Sequence, residues 1–332
     1  MPTVAEVLAA RRDQLETGRT FAGRPAADRG HAGRPEAGRG HTDGCRLALI
    51  IEGGGSRGVF GGGMLQALAD AGLTKVFDAV YGTSAGALCG AWMLSDRIDF
   101  GMAAWVDQQN LNRTVNPAGV LRGRPPFDLD HLVHEIYGRI APMDFEAILN
   151  SPIEFHPIAT DATTSEATDL APLFDDVPSL QRALAATCCL PLVAGSPVAL
   201  GDSRFLDGGL TESVPIRMAL QQGATHAVVL RTRRLDERSE SAPVVRSVVG
   251  DTYIRLAVPG AWRAWRDRGK QQALEEAAIA EMDDRVLEIR PPLDAPTVPG
   301  SSRDSGLMTR AMAIGRQVAR AALEQEVGVG TR

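Results

Sequence analysis

The chain has 332 residues, 44% hydrophobic and only 5% aromatic, enough for one large α/β domain with an aliphatic core or for two small ones. Its formal charge of −6 argues against a nucleic-acid binder, which is usually basic. No run of ~18 apolar residues occurs, so a spanning helix is excluded, and Met1–Gly18 has acids and arginines where a secretory signal needs apolar residues. The expectation is a soluble, cytoplasmic protein.

In chain order, Val4, Val7, Leu8 and Leu15 fall roughly on one face of a short amphipathic helix predicted over residues 3–17. Ala22–His31 (AGRPAADRGH) and Ala32–His41 (AGRPEAGRGH) then form an imperfect repeat too rich in Gly, Pro and Arg to bury a core. Residues 1–44 are therefore assigned to a disordered N-terminal arm and residues 45–332 to the folded domain. Leu47–Ile51 is a short apolar run that fits a buried strand, followed by a glycine loop at Gly53–Gly58. Met64, Leu65, Leu68 and Leu73 fit a helix ending at Gly72, Phe77–Tyr81 a second strand, and Ala85–Leu94 a second helix. Pro152–Asp161, with Thr163–Leu170 as its pairing partner, Arg204–Leu206, Ala227–Leu230 and Val286–Ile289 read as further strands. Leu180–Cys188, Pro215–Gln222, Trp262–Met282 and Gly306–Glu326 read as helices. Strands alternating with helices imply a mostly parallel sheet with helices on both faces.

Gly82-Thr83-Ser84-Ala85-Gly86 is a G-x-S-x-G placed between a predicted strand and a predicted helix. Small neighbours are a steric requirement of the sharp turn that presents such a serine, and the helix N-terminus favours a developing negative charge. Gly53-Gly54-Gly55-Ser56-Arg57-Gly58 also satisfies G-x-G-x-x-G, so a dinucleotide fingerprint is its rival reading. That reading needs an acidic residue at the end of the second strand, roughly 20 residues on. Asp78 stands instead at the start of that strand, which ends in the serine turn. The loop is better used as an oxyanion hole, its N–H groups from about Gly54 to Ser56 aimed at a tetrahedral intermediate. Asp207-Gly208-Gly209 is by itself an ordinary turn sequence. It matters because the serine needs a base and the histidines are poorly placed: His31 and His41 in the arm, His131 and His134 on one helix, His156 in mid-strand, His226 at a strand edge.

Taken together and in this order, the three motifs resemble the patatin-like phospholipases, whose pattern has a G-G-G-x-R/K-G loop, a G-x-S-x-G elbow and a D-G-G/A. The likeness runs from about Arg46 to the C-terminus, and Ala185–Pro191 is similar to the small-residue helix and proline ahead of the D-G-G. Glu52, where many members carry Asp, and the pair Cys188–Cys189 depart from the pattern. The resemblance implies a three-layer α/β/α fold with a mostly parallel central sheet. It also implies a Ser–Asp dyad without histidine, Ser84 as nucleophile and Asp207 as base, acting on a lipid or other ester without cofactor or metal. An ordinary aspartate, with pKa about 3.9, is a weak base, and desolvation would raise it toward neutrality. Arg57 is either a partner for a lipid phosphate or a brace bonding the loop carbonyls. Two other readings stay open: an esterase with a Ser84–Asp–His226 triad, and a non-catalytic lipid-binding regulator.

The four cysteines show no metal-ligand spacing, and neighbours such as Cys188 and Cys189 bridge only with strain, so reduced thiols are expected. Tyr253, Trp262 and Trp265 interleave with Arg255, Arg263, Arg266, Arg268 and Lys270. That cluster suits peripheral contact with a membrane, or else tryptophans packed on the sheet beneath a solvated helix face.

Overall fold

Five consecutive apolar residues, Leu47–Ile51, form strand β1, and all five are fully buried, as in a strand covered on both faces. The structure, a computed structural model, describes residues 1–17, 41, 43–117, 119, 123, 125–237 and 248–328. The repeat read as disordered lies, but for His41, outside the described residues. Ahead of β1 stands helix α1 (Val4–Glu16). After it come α2 (Gly58–Asp70), β2 (Ala79–Thr83), α3 (Ala85–Leu94), α4 (Ile98–Val106), α5 (Gln108–Thr114), a π-helical segment at His131–Ile140, and α6 (Phe145–Leu149). Next are β3 (Glu154–Asp161), β4 (Ala167–Asp169), α7 (Val177–Thr187), β5 (Val198–Leu200), β6 (Ser203–Asp207) and α8 (Ile216–Gln221). The chain continues through β7 (His226–Leu230), α9 (Val248–Ala257), α10 (Trp262–Ala280), β8 (Val286–Ile289) and α11 (Ser305–Val327).

The strands form one sheet in the order β5-β6-β3-β2-β1-β7-β8, with β4 paired to β3. From β3 to β8 neighbours are parallel, while β4, β5 and β6 pair antiparallel. The layers follow from strand alternation. Leu47, Leu49 and Ile51 join the core shared with α2, α3 and α11, whereas Ala48 and Ile50 pack with Ile216, Ala219 and Ile279 of α8 and α10. This is the expected α/β/α arrangement with a mostly parallel sheet. Its tightest helix contact joins α2 and α11. A Cβ on Gly63 would stand 1.9 Å from Met312 O, and one on Gly315 would stand 2.2 Å from Phe60 O. Small residues there let the two backbones touch.

One sequence reading is corrected. Residues 4–16 are not part of a disordered arm: α1 carries a Thr3–Glu6 capping box and packs against α11, β7 and β8. Its inner face is Val4, Val7, Leu8 and Arg11, while Leu15 is 43% exposed. Arg11 is fully buried and fully engaged. It donates to Asp43 through Nε at 2.8 Å, to Asp78 and Val76 O through NH1, both at 2.8 Å, and to Cys45 O through NH2 at 2.9 Å. Of the two readings of the tryptophan–arginine cluster, packing accounts for the tryptophans, while the side chains of Arg263, Arg266 and Lys270 stay exposed. Trp265 is fully buried and donates through Nε1 to Asp251 at 2.8 Å. Arg268 lies 4.3 Å over Trp265 and Arg255 lies 4.1 Å over Trp262. Among the described residues no helix is long and apolar enough to cross a membrane.

Candidate active site

β1 and β2 are parallel neighbours, so their C-terminal ends put the glycine loop and the serine turn side by side, Ile51 opposite Gly82. β2 runs on to Thr83, two residues beyond the predicted end at Tyr81, and Ser84 follows at φ 53°, ψ −124°. A positive φ is costly for serine and marks a turn held by its surroundings. Those surroundings require small residues: a Cβ on Gly82 would stand 2.6 Å from Ala87 N, and one on Gly86 would stand 2.2 Å from Ile51 O. Ala85 opens α3, whose N-terminus is therefore adjacent to the Ser84 hydroxyl. Thr83 Oγ1 donates to Glu212 O at 2.8 Å, which fixes the turn from the α8 side of the sheet.

Asp207 arrives from the antiparallel edge. It ends β6, where Ala159 of β3 is its register partner. Its Oδ2 accepts from Ser84 Oγ at 2.8 Å and its Oδ1 from Gly209 N–H at 2.7 Å. Its own N–H donates to Cys189 O at 2.9 Å, and its carbonyl accepts from Thr160 Oγ1 at 2.9 Å. Gly208 is a steric need, because a Cβ there would stand 2.3 Å from Ile158 O. Ser84 is 9% exposed and Asp207 7%, so the pair opens narrowly to solvent. Burial pushes the Asp207 carboxyl up to about 6, against the opposing hydrogen bonds from Gly209 N–H and the Ser84 hydroxyl.

The glycine loop keeps only part of its donor set free. Gly53 N–H donates to Ser213 O at 3.0 Å, Ser56 N–H to Gly300 O at 2.8 Å and Arg57 N–H to Gly54 O at 3.2 Å, and Gly58 N–H turns back onto Gly55 O. The N–H groups of Gly54 and Gly55 are left without an acceptor among the described residues. The expected donor span from Gly54 to Ser56 therefore shortens by one residue, since Ser56 is bound from the far end of the chain. Glu52, immediately before the loop, is fully buried and accepts from Arg231 Nε, Arg233 NH1 and Thr232 N–H. Burial alone would raise its carboxyl, but Arg231 and Arg233 hold it down at about 2. Arg57 makes no hydrogen bond in that network among the described residues, though it feels the charges of Glu52 and Arg233. Its Nε is buried without a partner, and the guanidinium makes no hydrogen bond to the loop carbonyls among the described residues. Burial, with the nearby charge of Arg233, lowers its pKa to about 10.

His226 lies at the opposite end of the strands. It pairs in register with Leu47, four residues before Ile51, and its ring nitrogens meet Thr225 Oγ1 at 2.9 Å and Pro2 O at 2.8 Å. Four strand residues span about 13 Å. His226→Ala is therefore expected to keep turnover of a soluble ester within about threefold in folded protein. A drop of several orders of magnitude in kcat, measured beside circular dichroism, would restore the histidine triad. His156 is also engaged elsewhere, between Asp169 at 2.8 Å and Glu154 at 3.2 Å, and stacks on Tyr81.

Sequence reasoning missed the residues that hold the site together. Thr187 accepts the Ser84 N–H at 2.8 Å and donates to Ile158 O. It lies inside the small-residue run at Ala185–Pro191, which was the one available signal. Gly300, Arg231 and Arg233 carry no local motif.

A family model described as patatin-like phospholipase matches residues 49–220, just over half the chain. The uncharacterized protein YjjU of Escherichia coli K12 is 30% identical over 192 residues, which is 56% of this chain and 52% of that protein. The chain thus matches about half the length of that curated relative. Among solved structures, VipD from Legionella pneumophila aligns with 15% identity and TM-score 0.39 over 85% of this chain and 67% of that one. The type III effector protein ExoU aligns with 15% identity and TM-score 0.36, over 85% and 53% respectively.

Proposed function

The chain belongs to the patatin-like phospholipase family, and on that premise we propose that it hydrolyses lipid esters, phospholipids included, through a Ser84–Asp207 dyad. The observation that carries the reading is the 2.8 Å hydrogen bond from Ser84 Oγ to a buried carboxylate whose pKa is pushed up to about 6. Ser84 Oγ attacks the ester carbonyl as its proton passes to Asp207 Oδ2. The carbonyl oxygen becomes an oxyanion and is met by the N–H groups of Gly54 and Gly55, with the α3 N-terminus adding a favourable field. Collapse breaks the ester C–O bond, and Asp207 returns the proton to the departing alcohol. Water then attacks the acyl-serine, Asp207 takes its proton, and the fatty acid leaves as Ser84 recovers its hydrogen.

Thr187 and Gly209 act before any of this. One fixes the Ser84 backbone and the other holds the second oxygen of Asp207, so that Oδ2 stays on the nucleophile. Arg57, with its Nε unpaired beside the loop, is the group suited to an anionic lipid head group.

The test is release of fatty acid from phospholipid vesicles and of chromophore from nitrophenyl esters by the purified protein, across pH. Only ionised Asp207 can take the proton, so kcat/KM is expected to fall as pH drops through about 6 and to level above it. No hydrolysis of either substrate class, or a profile flat across that range, would overturn the reading.

A further inference from the structure

Glu275 lies on α10, on the face of the sheet away from α2 and α3, and is 1% exposed. Its Oε1 accepts the Ser213 N–H at 2.6 Å. Ser213 belongs to a short segment, Thr211–Val214, that touches every part of the dyad's frame. Ser213 O accepts the Gly53 N–H at 3.0 Å, at the root of the glycine loop. Glu212 O accepts Thr83 Oγ1 at 2.8 Å, at the residue before the nucleophile. Thr211 Oγ1 lies 2.8 Å from Thr160 Oγ1, which donates to Asp207 O. A shift of this segment would move nucleophile, oxyanion donors and base relative to one another.

We infer that Glu275 is a positioning residue for ester hydrolysis, holding Thr211–Val214 so that Ser84, the glycine loop and Asp207 stay in register. The inference rests on the Ser84–Asp207 reading. A carboxylate is an unfavourable group to bury, and a contact serving stability alone is met as well by an apolar side chain. The charged groups facing Glu275 add to that cost. Glu212 and Glu52 both confront it, while Arg217 and Arg233 pair with those two carboxylates. Burial and these two acids push the Glu275 carboxyl up to about 7. What a carboxylate supplies there, and an apolar side chain does not, is an acceptor for the Ser213 N–H ahead of α8. Glu212 has a separate task, its Oε1 accepting the N–H groups of Arg217 and Met218 at the start of α8.

The test uses the full chain with Glu275→Ala and Glu275→Gln, a soluble nitrophenyl ester, and a fluorophosphonate that reports the reactivity of Ser84. Glu275→Ala is expected to lower kcat and the labelling rate by about 30-fold while KM stays within about threefold, because misplacing the reacting groups acts on turnover rather than on binding. Glu275→Gln keeps an oxygen for the Ser213 N–H and should recover most of that loss. Like a protonated carboxyl it keeps that acceptor, so the acid limb set by Asp207 should stay where it is. Folded Glu275→Ala labelled at the parent rate overturns the inference, as does a Glu275→Gln loss as deep as that of folded Glu275→Ala. Should Glu275→Ala not fold, Glu275→Leu, which fills the space without an acceptor, is expected to lose the same ~30-fold, and labelling of folded Glu275→Leu at the parent rate overturns the inference. Absence of labelling at Ser84 in the unmodified protein would overturn the dyad itself.

Discussion

Ser84→Ala is expected to lower kcat/KM for any ester substrate by about 10⁴-fold or more, because it removes the atom that forms the acyl bond. Asp207→Asn should fall to a similar level for a different reason. The amide keeps its one oxygen for the Gly209 N–H and turns its NH2 to Ser84 Oγ as a donor, so the contacts survive, but it cannot take the proton. The double variant should be little worse than either single one, since the two groups act as a unit. Both variants should fold, because the Ser84 turn is held by Thr187 and Glu212 through the backbone and Thr83. The measurement is ester turnover beside thermal melting, with mass analysis of the fluorophosphonate adduct. A folded Ser84→Ala protein with parental activity would sink the assignment.

Arg11→Ala is expected to lower unfolding stability by about 3–5 kcal/mol, the range found when one partner of a buried charged pair is removed. The fully buried guanidinium is bonded to two carboxylates and two carbonyls. Its loss leaves Asp78, 5% exposed, with a charge that no longer has its arginine, and empties a site inside the wall built by α1. Deleting residues 1–17 should be at least as damaging, since Val4, Val7 and Leu8 leave with it. The kcat of the fraction that remains folded should not change. Pro2 meets His226 at the N-terminal end of β7, whereas Ser84 lies beyond the C-terminal end of β2. Urea unfolding with activity normalised to native protein checks both halves. A variant melting within about 1 °C of its parent would show that the helix merely rests on the domain.

How much could be read beforehand depends on how local each signal is. β1, the glycine loop and the serine turn follow one another within forty residues, and their steric demands are written in adjacent glycines and alanines. The β2 boundary slipped by two residues because Gly82 reads locally as a strand end. Parallel pairing with Ile51 and Pro157 on either side carries the strand through it. Arg11 carries no signal for the opposite reason: an arginine on the apolar stripe of a short helix looks like surface until Asp43, Asp78 and two carbonyls converge on it. Glu275 and Gly300 lie 62 and 244 residues from the backbone groups they satisfy at Ser213 and Ser56, and nothing in their neighbours announces that role. Gly55 is held in the same way, its φ of 56° set against Gly300 O.

The hydrogen bond from Ser56 N–H to Gly300 O, with Ser56 Oγ on Ser302 O, bears on the order in which the chain becomes competent during synthesis. A growing polypeptide has Ser84 and Asp207 in hand once β6 has emerged, but the glycine loop then lacks its acceptor and α2 lacks the α11 backbone that its glycines are shaped to receive. Domains assemble as the ribosome delivers them, N-terminal parts first. Ser84 and Asp207 are therefore made long before the Gly54–Gly55 segment is locked, and on the proposed mechanism full reactivity would arrive only with the last helix.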